Sequence, residues 1–230
     1  MKPAHRRRLR LAVLVSGRGS NLQALIDAID QGRLHAQIVA VLSNRSDAQA
    51  LRRAEVRGIA SLALDPGGYP TRADFDRALF ERVAAFAPDL VVLAGFMRVL
   101  DASVVRAWQG RMINIHPSLL PKYPGLHTHR RALDAGDREH GASVHFVGAE
   151  VDAGPVIAQA RIRVLAGDTP ETLASRLLPR EHQLLTGVCA LIAEARLTCT
   201  SAEVKLDGRT LGCPLELTTD GRLSCPAASP

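Results

Sequence analysis

The sequence predicts a doubly wound α/β fold, a mostly parallel sheet with helices on both faces. Three observations carry this expectation. From Leu11 to Gly95, short apolar runs alternate with segments of helical period. The runs are continuously apolar, as in strands covered on both faces, and do not alternate as half-exposed strands do. A glycine-bearing turn, "SGRGSN" from Ser16 to Asn21, joins the first run to the first helical segment. With right-handed crossovers, each strand–helix–strand unit then winds onto one sheet.

The elements follow in order. "LAVLVS" reads as a buried strand. "SNLQALIDAIDQG" reads as a helix, with Leu22, Leu25, Ile26 and Ile29 on one stripe. Ser20 to Gln23 fits the capping pattern S-x-x-Q, and Gly32 sits where a helix stops. "AQIVAVLSN" is the next strand, residues near Asp47 to Arg57 a helix, and "IASLAL" a short strand. A long helix from about Thr71 to Phe86 leads into the strand "DLVVLAGF".

After residue 100 the texture changes. A short helix near Ala102 to Trp108 precedes the strand "RMINIH", and an irregular proline-rich loop runs to about Thr128. The strands "ASVHFV" and "VIAQARIRV" flank a loop, "GAEVDAGP". A closing helical segment is capped by Thr169 with Pro170 at its first position, and Pro179 is expected to kink or divide it. In the tail, Asp207-Gly208 and Asp220-Gly221 are turn pairs for small antiparallel strands.

Composition narrows the function. The chain has 230 residues, 47% of them hydrophobic, enough for one domain with a large core or two small ones. Aromatics are only 3%, against a stacking platform for single-stranded nucleic acid. Much of the formal +6 charge sits in Lys2, Arg6, Arg7, Arg8 and Arg10, read as a solvated extension. The apolar run after it, Leu11 to Val15, is shorter than the roughly 7–15 residues of a signal core. No stretch nears the ~20 apolar residues of a membrane span. Cys189, Cys199, Cys213 and Cys225 form no C-x-x-C pair and are read as free thiols in a reducing cytoplasm.

Two motifs carry chemistry. "SGRGSN" offers backbone N–H groups at a helix N-terminus, where glycines let a phosphate approach. It lacks the third glycine of a dinucleotide fingerprint, so a single phosphate suits it better. The alternative is an ordinary strand–helix turn. In "MINIHP", strand alternation puts Met112, Asn114 and His116 on one face, and Pro117 ends the ladder after them. An amide donor beside an imidazole suits acyl transfer: the amide stabilises an oxyanion and the ring moves a proton. A structural Asn–His pair is the alternative. Asp152, in the "GAEVDAGP" loop, orients and charges an imidazole if it reaches one, and is otherwise a polar turn residue. His127, His129, His140 and His145 match no zinc spacing, and "HPS" at Ser118 is not a serine-hydrolase elbow.

"SGRGSNLQALIDA", "VVLAGFMRVL", "NIHPSLLPKYPGLHTH", "HGASVHFV" and "VDAGPVI", in this order, resemble the folate-dependent phosphoribosylglycinamide formyltransferases. The resemblance covers about Leu11 to Arg196. It implies transfer of a formyl group from 10-formyltetrahydrofolate to the amine of glycinamide ribonucleotide, in purine synthesis. By the same resemblance, Asn114, His116 and Asp152 are the catalytic trio. Gly19, Ser20 and Asn21 hold the substrate phosphate, and Glu181 the sugar. Met97, Arg98, Val99 and Leu100 form the folate wall, Arg72 is a basic folate contact, and the loop Gly148 to Asp152 closes on the pterin. The resemblance also implies a cis bond at Leu120-Pro121. One departure is Leu185-Thr186, where the family leads one to expect Tyr-Pro.

The resulting organisation is a basic extension (1–10), one formyltransferase domain (11–196) and a tail (197–230). The domain divides into a phosphate-binding half (11–100) and a catalytic and folate-binding half (101–196). The expected protein is a cytoplasmic enzyme without a metal, acting as a monomer or weak homodimer, with no nucleic-acid or membrane partner. Two rivals remain at this point: a formyltetrahydrofolate hydrolase using the same trio on water, and a non-enzymatic nucleotide-binding module.

Overall fold

The structure, a computed structural model, describes residues 7–200 and 203–226. The run "LRLAVLV" forms strand β1 (Leu9–Val15), whose residues from Leu11 onward have no solvent exposure. Helix α1 (Ser20–Asp30), β2 (Ala36–Ser43), α2 (Gln49–Val56), β3 (Ser61–Ala63), α3 (Arg72–Ala85) and β4 (Leu90–Leu93) follow in strict alternation. Strands β1 to β4 pair in parallel, with β1 between β2 and β4. The second half contributes α4 (Ala102–Ala107), β5 (Met112–His116), α5 (Thr128–Asp134), β6 (Glu139–Phe146), β7 (Val156–Arg163) and α6 (Pro170–Ala193). β5 pairs in parallel with β4, whereas β6 runs antiparallel to both β5 and β7. The doubly wound, mostly parallel architecture predicted from the apolar runs is the observed one.

The sheet separates two apolar layers. Leu22, Leu25 and Ile26 of α1 and Leu177, Leu184, Leu185 and Val188 of α6 pack on one face, against Val13, Ile113 and Ile115. Phe75, Leu79 and Val83 of α3 pack on the other, against Leu14, Val91 and Met112. Met112 therefore faces away from Ile113 and Ile115, the alternation expected for this strand.

Four local expectations need correction. Gly19, not Ser20, is the N-cap of α1, with φ +73° and no side-chain cap bond. A left-handed N-cap turns the chain sharply out of β1, and glycine adopts it without steric cost. Of the expected kink or division at Pro179, the division does not occur: α6 runs from Pro170 to Ala193 with the expected Thr169 cap. Its buried leucines, about 1.5–3 kcal/mol each, outweigh the roughly 3 kcal/mol cost of an interior proline. Helix α5 was not anticipated. The basic extension is not wholly solvated: Arg10 donates to the carbonyls of Phe86 and Ala87, and Arg7 pairs with Asp89 at 2.6 Å. Lys2 and Arg6 lie outside the described residues.

The tail contains both expected turns. β8 (Leu197–Thr200), β9 (Glu203–Leu206) and β10 (Arg209–Thr210) form a small antiparallel sheet turning at Asp207-Gly208. β11 (Leu215–Leu217) and β12 (Leu223–Ser224) instead extend the main sheet, β11 pairing in parallel with β7. Leu215 and Leu217 are buried in the main core, so this part of the tail is built into the sheet.

Candidate active site

The carboxyl ends of β4 and β5 open onto a cleft of about 400 Å³. Asn114, His116 and Asp152 all line it. Asn114 and His116 project from the same face of β5, and the turn after β6 returns Asp152 to meet them. Asp152 has φ 53°, a left-handed conformation that Asp enters more readily than most residues. Its Oδ1 accepts from Asn114 Nδ2 at 3.2 Å, and its Oδ2 accepts from the Gly125 N–H at 2.8 Å. His116 Nδ1 lies 3.3 Å from the same Oδ2.

The His116 ring is buried between two acceptors. Its Nε2 is 2.9 Å from the Tyr123 carbonyl, opposite the Asp152 side. Either neutral tautomer leaves one ring lone pair facing an acceptor; only the imidazolium donates to both. Burial nevertheless dominates and pulls the His116 pKa below its usual value, while the Tyr123 carbonyl and Asp152 push it up. Asp152 alone therefore does not set the ring's charge, as its sequence position had implied. For Asp152, burial works upward. The Gly125 N–H, with the His116 and His145 rings beside it, outweighs it and holds the carboxyl below the usual range.

His145 is a further member of the cluster. It stands directly across the ladder from Asn114, and its Nδ1–H donates to the Phe146 carbonyl at 2.9 Å. Nε2 is then an acceptor, 3.1 Å from Asn114 Nδ2. Both amide protons of Asn114 thus have partners, and its orientation is fixed. Strand alternation from His145 was the available signal, but only the register makes it specific. The half-buried His129, at the cleft, and the buried His140 form a second pair, Nδ1 to Nε2 at 2.9 Å. Burial, then the neighbouring His129, lowers the His140 pKa to about 4. Among the described residues no group of three or more His, Cys, Asp or Glu side chains is placed to hold a metal ion.

The cleft walls are apolar. Met97, Arg98, Val99 and Leu100 form one side, and Val147 to Val151 face the cleft before Asp152. Of six exposed large hydrophobic side chains among the described residues, four (Met97, Val99, Leu126 and Val151) line this cleft. Such a concentration marks a ligand surface. Arg98 lies over the Phe75 ring, 4.6 Å from its centroid. Arg72, at the first turn of α3, is exposed and does not line the cleft.

The glycine loop stands beside the cleft. Gly19, Ser20 and Asn21 occupy the N-terminus of α1, and Asn21 Nδ2 approaches Glu181 Oε2 of α6 at 3.5 Å. Burial drives the Glu181 pKa up to about 7, opposed by the Asn21 bond. The Oδ1 of Asn21 is buried without a partner. Leu120-Pro121 is cis. At the departure Leu185-Thr186, Leu185 joins the core and Thr186 Oγ1 donates to the His182 carbonyl at 2.8 Å, a change within the helix.

A cleft with an Asn–His–Asp cluster beside a helix N-terminus is the setting for the comparisons with known proteins. The formyl transferase family model matches residues 9–189. The chain belongs to the formyl transferase family. It is 48% identical over 203 residues to a phosphoribosylglycinamide formyltransferase from Escherichia coli strain K12, covering 88% of this chain and 96% of that one. The solved phosphoribosylglycinamide formyltransferase of Coxiella burnetii superposes with a TM-score of 0.86 at 48% identity, over 89% of this chain and 96% of that one. The trifunctional purine biosynthetic protein adenosine-3 of Drosophila melanogaster is 46% identical over 83% of this chain, which spans 14% of that longer protein. Among the described residues no helix is long and apolar enough to cross a membrane.

Proposed function

We propose that this chain transfers a formyl group from 10-formyltetrahydrofolate to the amine of glycinamide ribonucleotide, a step of purine synthesis. The observation that carries this reading is the cluster of Asn114, His116 and Asp152 at the head of an apolar cleft, next to the glycine loop of α1. The ribonucleotide phosphate docks on the N–H groups of Gly19 to Asn21. Glu181 receives the sugar hydroxyls, with Asn21 beside it. The apolar walls at Met97, Val99, Leu100 and Val147 fit a flat folate ring. Arg98 on the cleft wall, with Arg72 outside it, supplies positive charge for the folate's carboxylates.

The substrate amine attacks the formyl carbon directly. The carbonyl π electrons move to oxygen, and one Asn114 N–H turns from its resting partner to that oxyanion. The oxyanion adds a second negative group near His116 and offsets the burial that opposes the ring's charge. His116 then acts as an imidazolium held by Asp152. The attacking nitrogen loses a proton and the departing tetrahydrofolate nitrogen gains one, relayed through the His116–Asp152 pair or water. Holding two reactants in one cleft supplies much of the rate. Each chain carries the complete set of groups, so a monomer, or a weak homodimer, is sufficient for activity.

The test is an absorbance assay of tetrahydrofolate formation with and without glycinamide ribonucleotide. Formation that requires the ribonucleotide is expected. Equal formation with formate release in its absence would assign the trio to water and make the protein a hydrolase. No turnover in either arm would leave a nucleotide-binding module.

A further inference from the structure

Ser16 occupies a position that the reaction scheme does not use. It is the first residue after β1 and is 9% exposed. Its N–H donates to the Gly95 carbonyl at 3.0 Å. Its Oγ donates to Asn44 Oδ1 at 2.6 Å and accepts from the Met97 N–H at 2.8 Å. One residue thereby ties together the chain leaving three adjacent parallel strands, β2, β1 and β4. A hydroxyl is the side-chain group of this size that donates and accepts at once.

The two sides of this junction belong to different subsites. C-terminal to Ser16 lies the loop that ends in Gly19 to Asn21. That loop is anchored to the α2 side, where the Gly17 carbonyl accepts from the Ala50 N–H at 3.1 Å and the Arg18 carbonyl from Arg53 Nε at 2.9 Å. Across the Ser16 hydroxyl lies Met97, first of the wall residues and 67% exposed towards the cleft. The wall has no regular secondary structure of its own. Its far end is tied separately to α3, where the buried Asp76 accepts from the Asp101 N–H at 2.7 Å. Its near end is tied to β1, by the Ser16–Gly95 bond and by the Ser16–Met97 bond.

The geometry points to Ser16 as a positioning residue that sets the distance between the two bound substrates. It touches neither reacting atom. It holds the Met97 N–H in register with the phosphate loop, and so fixes where the wall places one reactant relative to the other. This inference rests on the proposed formyl transfer between two substrates. Each subsite keeps its own contacts when the hydroxyl is lost, so binding of either substrate alone is preserved. Only their mutual placement loosens, and displacements of about 1 Å are costly in a bimolecular step held in one cleft.

The test compares wild type, Ser16→Ala and Asn44→Leu. Three quantities are read: kcat with both substrates, and the Kd of glycinamide ribonucleotide and of a non-reactive folate analogue, each measured alone. Ser16→Ala removes both hydroxyl bonds; a fall in kcat of at least about tenfold is expected, with both Kd values within about threefold of wild type. Asn44→Leu removes only the acceptor, leaves the Ser16–Met97 bond possible, and is expected to give a smaller fall in kcat with the same unchanged Kd values. It also decides the matter if Ser16→Ala does not fold. Wild-type kcat in a folded Ser16→Ala variant overturns the proposal, as does wild-type kcat in Asn44→Leu. A loss confined to one Kd overturns it too, because it assigns Ser16 to one subsite only. Failure of the wild type to transfer formyl to the ribonucleotide is a different result, which removes the proposed function itself.

Discussion

Asp152 Oδ2 lies 3.3 Å from His116 Nδ1, with both side chains almost entirely shielded from solvent. The carboxylate favours the charged ring and burial opposes it, with burial the stronger. Asp152→Asn removes the favourable part and leaves the burial. The His116 pKa should therefore fall further below its usual value. Because the imidazolium is the working form, the variant should lose activity most at the alkaline end of the range. An NMR titration of His116 in both proteins, without substrates, checks the shift. An unchanged pKa would separate Asp152 from the ring's charge.

Asn114 is the second test. Its amide is held by Asp152 Oδ1 at 3.2 Å and His145 Nε2 at 3.1 Å, and it is only half-buried. Asn114→Ala leaves those two acceptors beside the cleft, where water reaches them. The fold should survive while kcat drops by about 10²–10³-fold, the usual effect of losing an oxyanion donor. Thermal melting and steady-state kinetics on the same preparation are the measurement. Normal melting with most of the rate retained would make Asn114 structural.

Gly19 shows how a loop position carries two constraints at once. At φ +73° a Cβ would stand 2.6 Å from the Ala50 Cβ and 2.9 Å from its Cα. Gly19→Val should thus disturb the packing of the loop on α2 as well as block the approach of a phosphate. The expected outcome is a cost of about 1–3 kcal/mol from the backbone conformation and clash, seen as a lower Tm. The ribonucleotide KM should rise and the folate KM change little. Gly17 has open space where its Cβ would be, so Gly17→Ala should melt like wild type. Equal damage to both KM values in a fully folded Gly19→Val protein would move the phosphate elsewhere.

The sequence disclosed most of the frame because its signals are local. The apolar runs of β1, β2 and β4 and the stripe of α1 need no distant partner to be read. Asn114 and His116 were likewise legible, since two-residue alternation puts them on one side of β5. Asp152 was not: a polar residue in a glycine-containing turn looks the same whether or not it reaches an imidazole 36 positions earlier. His145 became specific only through the β5–β6 register, which pairs it with Asn114. Helix α5 was missed because it is seven residues long and starts after His127 in a left-handed conformation. β11 is three residues that join the main sheet by pairing with β7, a pairing with no local signature.

Glu181 gives the last test, and its sign can be worked out in full. Burial raises its pKa from 4.5 to about 7, because an ionised carboxylate loses hydration next to Asn21 at 3.5 Å. The folded protein therefore holds this proton where the unfolded chain has released it. The resulting stabilisation is complete below the unfolded pKa and is lost as pH rises through about 7. Glu181→Gln cannot ionise and escapes that loss. Its Tm should match or exceed that of wild type at pH 8, and the gap should narrow towards pH 5. Ribonucleotide affinity should respond in the opposite way. The ionised carboxylate is the stronger acceptor for sugar hydroxyls, so wild-type affinity should improve as pH rises through 7, whereas the variant should bind weakly without that rise. Part of the improvement also comes from the second ionisation of the substrate phosphate near pH 6. The difference between the two proteins, measured by calorimetry at matched pH, isolates the side chain. A variant with the same pH dependence of affinity as wild type would place the sugar away from Glu181.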